Sequence, residues 1–122
     1  MEKLALSDLV HQQLKIARRA TSGRSAHTLY GGHGQVLRQT LLALAAGGVL
    51  SEHENPGEAT VQVLHGRVRL SSGSASGEAV PGDLLIVPAA RHSLEALDDS
   101  VVLLTVGKRH TGDPASDRGI SG

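Results

Sequence analysis

The chain has 122 residues, with 12 Lys+Arg balanced by 12 Asp+Glu, no Cys, and Tyr30 as its single aromatic residue. A neutral chain of this size reads as one domain that buries about two-thirds of its unfolded surface without disulfides, and its charge balance excludes a nucleic-acid or membrane-surface footprint. The scarcity of aromatic rings excludes base-stacking platforms and aromatic cages.

Met1-Glu2-Lys3-Leu4 lacks the apolar stretch of a secretory leader, and the longest apolar run, Leu41 to Leu50, contains Gly47 and Gly48. That run is far short of the ~20 residues that span a bilayer, so a cytoplasmic protein with no transmembrane segment is expected. The first twenty residues read as a helix. Ser7 is placed to cap it, Asp8 suits its first turn, and Leu9, Val10, Leu14 and Ala17 recur at helical spacing. Arg18 and Arg19 suit its C-terminal end, and Gly23 is the expected stop. This helix is expected to pack on the domain or on a second subunit rather than to read DNA; no helix-turn-helix accompanies it.

From residue 25 the chain breaks into short β-compatible runs between Gly, Pro, Asn and Asp. Candidate strands are 26–30, 35–44, 49–54, 59–64, 67–70, 77–80, 83–87, 93–97 and 101–106. In Ala59-Thr60-Val61-Gln62-Val63 apolar and polar residues alternate, the mark of a strand with one buried face. Leu84-Leu85-Ile86-Val87 and Val101-Val102-Leu103-Leu104 are apolar on both faces, so their outer faces need cover from the helix or from a second copy, and a homodimer is expected. The organisation is then a helix and linker over 1–24, a β-barrel over 25–107 and a polar tail over 108–122.

Gly47, His53, Asn55, Ala59 and Gly66 fall at the spacings of a known motif. They resemble the first motif of the cupins, G-x5-H-x-H-x3,4-E-x6-G, with both outer glycines and the first histidine in place. Gly82-x5-Pro88-Ala89-Ala90-Arg91-His92 is similar to the second motif, G-x5-P-x-G-x2-H-x3-N, with His92 one residue early and Ser93 at the usual histidine position. The resemblance covers roughly residues 35–106 and implies an all-β fold, a double-stranded β-helix or jelly-roll barrel with a pocket between its sheets.

In the cupins the three histidine and glutamate positions of the first motif and the histidine of the second hold a divalent transition metal. Here Asn55 stands at the second histidine and Ala59 at the glutamate. Parity puts His92 with Leu94 and Ala96 on the apolar, inward face, and Asn55 with His53, so His53, Asn55 and His92 are expected to line the pocket. Two imidazoles and an amide oxygen are a poor metal set, since such sites ordinarily take three strong donors. Glu58 could complete a set with His53 and His92 if a bulge near Pro56-Gly57 turned it inward; its parity with Thr60 and Gln62 faces it to solvent.

Arg38 and Gln39 are adjacent on one strand, so they face opposite ways, and the inward one is a candidate to hold an anionic or carbonyl group. His27 is less constrained, His33 and His65 read as exposed turn residues, and His11 and His110 lie on the helix and tail; none carries a site alone. No phosphate loop, serine elbow or cysteine nucleophile is present. Two readings follow from the resemblance: a pocket protein that binds a small molecule through His53, Asn55 and His92, or a metal-dependent dioxygenase, isomerase or decarboxylase with His53 and His92 as ligands. A metal-free histidine proton transfer is a third, against which the lack of aromatic residues counts.

Overall fold

The computed structural model describes residues 1–53, 57–88 and 90–108, with the side chains of 52, 53 and 108 outside that description. One helix, α1 (Leu6–Arg19), precedes nine strands: β1 (Arg24–Tyr30), β2 (Leu37–Leu44), β3 (Val49–His53), β4 (Gly57–His65), β5 (Val68–Ser72), β6 (Ala75–Ala79), β7 (Leu84–Ile86), β8 (His92–Ala96) and β9 (Ser100–Lys108). Among the described residues no helix is long and apolar enough to cross a membrane.

The helix starts earlier than its sequence suggests. Ala5, in extended conformation, is its N-cap, no side chain caps it, and the Ala5 carbonyl already accepts the Leu9 N–H at 3.2 Å. Ser7 therefore lies inside the first turn rather than at the cap. Gly23 is not the stop either: Ala20 turns extended straight after Arg19, and Gly23, at φ +70°, serves the turn that leads into β1. The apolar stripe is as expected. Leu14 and Ala17 are buried with Leu9 and Val10 beside them, while Gln13 joins them because the Ser25 hydroxyl lies 2.9 Å from its side-chain oxygen. A buried amide is tolerated where a partner replaces water.

The strands form two antiparallel sheets, β1-β2-β9-β4-β7 and β3-β8-β5-β6, stacked as a jelly roll. Period-two alternation fixes which residues lie between them. On β4, Ala59, Val61 and Val63 are buried, and on β8, His92, Leu94 and Ala96. With Leu44, Val68, Leu70, Val102 and Val106, the apolar ones among them make the barrel core. A second core lies outside the five-stranded sheet, where α1 sets Leu14 and Ala17 on Leu41, Ala43 and Val101.

Both faces of β9 are thus covered, as its sequence demands. β7 differs: Leu85 packs on the core, yet Leu84 and Ile86 remain 56% and 71% exposed. The helix packs on β1, β2 and β9, whereas β7 is the far edge of the sheet. One helix cannot cover both.

The turn between β8 and β9 ties these layers together through Asp99. Its carboxylate accepts the Ala46 N–H at 2.8 Å and the Arg18 Nε–H at 2.7 Å, and these contacts hold its pKa below the usual aspartate value, the Ala46 bond being the larger cause. A carboxyl group whose pKa falls on folding stabilises the fold above its unfolded value near 4, and loses that contribution as pH drops through the folded value. Asp99→Asn should therefore lower stability at pH 7 by about 1 kcal/mol, the scale of a partly exposed charged hydrogen bond. Urea titrations of the two proteins should converge below about pH 4; a gap that persists there would assign the loss to geometry rather than charge.

Candidate ligand-binding site at the barrel mouth

Six strand ends meet at one end of the barrel. Leu37 of β2 pairs with Gly107 of β9, Gly57 of β4 with Lys108, and His53, closing β3, pairs with His92, opening β8. The Val87 N–H, just past β7, donates to the Ala59 carbonyl at 3.1 Å. The sequence folds this way because residues 54–56 join β3 to β4 and residues 87–91 join β7 to β8.

His92 is the buried polar group of this mouth. It is 5% exposed and shares the inward face of β8 with Leu94 and Ala96, as parity requires. Its Nδ1 lies 3.1 Å from the Ala90 carbonyl oxygen. A carbonyl can only accept, so this contact places the proton on Nδ1 and, in the neutral ring, the lone pair on Nε2. His53 stands opposite His92 in the strand register. Asn55 lies outside the described residues.

The remaining expected residues separate by parity. Arg38 alternates with Thr40, Leu42 and Leu44, pairs with Val106, and is exposed at the rim. Val106 pairs in turn with Ala59, so Arg38, Val106 and Ala59 form one lateral row across the inward side of the sheet. Gln39 is on the other face, where its Nε2–H donates to the Thr105 hydroxyl at 3.2 Å. Glu58 is exposed and alternates with buried Ala59, so β4 brings the alanine, not the glutamate, to the inward side. His11, His27, His33 and His65 are exposed, and His110 lies outside the described residues.

One inward polar residue goes unmarked by the sequence reading. Thr40 is 9% exposed and pairs with Leu104, whose other partner is Val61 of the core. Its signal was the i, i+2, i+4 spacing with Leu42 and Leu44, the test that also picks Arg38 over Gln39.

No protein-family model and no curated protein matches this sequence. Solved structures do. A conserved protein of unknown function from Streptococcus pyogenes is 26% identical, with 75% of this chain and 79% of that one covered and a TM-score of 0.67. A cupin superfamily protein from Desulfitobacterium hafniense is 22% identical over 70% of this chain and 78% of its own, TM-score 0.65. An RmlC-like cupin protein from Desulfovibrio desulfuricans is 21% identical over 88% and 91%, TM-score 0.61. The fold is the barrel that these cupin structures share.

Within a cupin barrel the departures from the motif can be weighed in place. The glutamate position is filled by Ala59, a side chain with no donor, packed in the core cluster. Among the described residues no three His, Asp or Glu side chains gather closely enough to hold a metal ion. At the motif positions the chain offers His53, Asn55 and His92 alone, short of the three strong nitrogen, sulfur or carboxylate donors that such a site takes. The residues present do not fit a resident metal.

Proposed function

We propose that this cupin domain binds a small organic molecule at the barrel mouth, its apolar body among Ala59, Val87 and Val106 and an acidic or carbonyl group toward Arg38. The observation that carries the reading is His92, a polar side chain held almost wholly out of water at the barrel end where an apolar row of the facing sheet ends in the exposed Arg38. A pocket with a few fixed polar groups on an apolar lining is how small ligands are oriented. The replacement of the motif's carboxylate by Ala59 removes the negative charge that would repel an acid from the same row. No observation favours a metal-dependent reaction.

The test is a panel of small carboxylates, lactones and ketones screened by thermal shift, with hits titrated while the imidazole resonances of His92 are followed by NMR. A ligand at a hundred times its Kd adds about 2.7 kcal/mol of stability. Binders should move the His92 resonances, Arg38→Leu should weaken binding of the acids about tenfold or more, a loss of about 1.4 kcal/mol, and chelator should leave binding unchanged. Hits insensitive to both Arg38→Leu and His92→Gln would place the site elsewhere and end this reading.

A further inference from the structure

Among the described residues four polar side chains are buried: Gln13, Thr40, His92 and Ser100. Three of them are bonded within the fold. The Ser25 hydroxyl donates to the Gln13 side-chain oxygen, His92 Nδ1 donates to the Ala90 carbonyl, and the Ser100 hydroxyl joins Arg67 to Asp98. Thr40, 9% exposed, is the exception, for among the described residues its hydroxyl has no hydrogen-bond partner. An unmet buried hydroxyl costs free energy, and folded proteins keep few of them.

Thr40 is placed beside the site already described. It lies two residues beyond Arg38 on the inward face of β2, which sets its Cα about 7 Å deeper into the barrel along the strand. Its lateral neighbours are Thr28 on β1, which is exposed, and Leu104 on β9, which packs on the core yet is only partly buried. Accessible surface therefore remains on either side of Thr40.

We infer that the Thr40 hydroxyl is a ligand contact, and that the acid bound at the mouth carries a hydroxyl or ketone oxygen a few carbons beyond its carboxylate. This rests on the binding reading above and sets the class of ligand within it. Arg38 takes the carboxylate at the rim, and Thr40 takes the second oxygen one step deeper. A threonine hydroxyl both donates and accepts, so it pairs with either kind of oxygen. Val106 and Leu104, which stand next to Arg38 and Thr40 in their rows, keep the surrounding wall apolar. An oxygenated acid meets the one polar group that the fold leaves unmet, whereas a plain acid seals it in unpaired. Selectivity follows from that difference.

The test titrates hexanoate, 2-hydroxyhexanoate and 3-hydroxyhexanoate into the full chain and its Thr40→Val, Thr40→Ser and Arg38→Leu variants by calorimetry. At least one hydroxy acid should bind wild type about tenfold tighter than hexanoate. Thr40→Val keeps the side chain's shape without its hydroxyl, so it should abolish that preference while hexanoate affinity stays within about twofold. Thr40→Ser should retain the preference. Without ligand, the valine variant should show an equal or higher urea midpoint, because it sheds an unmet polar group and no internal bond. A clearly lower midpoint would show the hydroxyl to be bonded within the fold and overturns the inference. So does a wild type that binds all three acids alike, or a preference that survives Thr40→Val. In those cases acids still bind and still depend on Arg38, so the mouth site stands. Failure of the mouth site takes this inference with it and looks different: no acid binds, or binding ignores both Arg38→Leu and His92→Gln.

Discussion

Gly66→Ala is expected to lower stability by about 3 kcal/mol or more, a large share of the roughly 5–15 kcal/mol margin of a small domain. Two independent costs combine at this position. Gly66 sits at φ +85°, where an L side chain is strained by about 1–2 kcal/mol. A Cβ there would also overlap the Asp99 carbonyl and the Ser100 hydroxyl and come within 2.8 Å of the Ser100 Cα, atoms that cannot move aside.

The reason they cannot move is the contact that Gly66 permits. The Ser100 hydroxyl, 1% exposed, accepts the Arg67 N–H at 3.0 Å and donates to the Asp98 carbonyl at 2.6 Å, and the Leu97 N–H donates to the Arg67 carbonyl at 2.8 Å. The β4–β5 turn is thereby locked onto the β8–β9 turn. Gly47 provides the control, since it has a similar φ of +87° but open space around an added Cβ. Gly47→Ala should cost only about 1 kcal/mol. Urea midpoints of the two variants test this, and equal losses would show that backbone conformation alone, not the locked turns, makes Gly66 necessary.

Ala59→Glu, which restores the motif's carboxylate, should destabilise by about 2–4 kcal/mol at pH 7. Ala59 is 6% exposed and packed in the core with Val61, Val87 and Val106, so the substitution brings both extra volume and a charge into an apolar row. Burial raises the folded-state pKa of a carboxyl group, so the charge penalty is present above the unfolded value near 4 and fades as pH falls below it. The part that remains below about pH 3 measures overpacking and the burial of the neutral acid. Arg38 heads the same row two strands away, about 10 Å in sheet spacing, too far to neutralise the new charge by direct contact without rearrangement. A variant as stable as wild type at neutral pH would mean that the mouth is wetter and more polar than its packing indicates.

Alternation made most of the barrel legible. Ala59, Val61 and Val63 announce one buried face, and the shared parity of His92 with Leu94 and Ala96 locates the buried histidine although Ser93 stands at the motif's histidine position. The same rule, applied to Arg38 and Gln39, left their faces open only because the strand was not carried through to Thr40, Leu42 and Leu44. The helix start was misplaced by favouring a side-chain cap: Ser7 has the right chemistry, but the backbone had already turned helical at Leu6. Both-sided apolarity in β7 signalled a need for cover without saying which body provides it, because reach across a sheet is a property of strand order. The Gly66–Ser100 lock was legible on one side only. Its glycine belongs to the motif, while the buried serine opposite is thirty-three residues from its Arg67 partner and carries no local signature.

The strand order has a consequence for synthesis. β9, the last strand among the described residues, is the middle one of its sheet, flanked by β2 and β4. Until it emerges from the ribosome those two strands have no common neighbour, and each leaves a hydrogen-bonding edge unpaired. The five-stranded sheet of this domain therefore cannot close until β9 has been made.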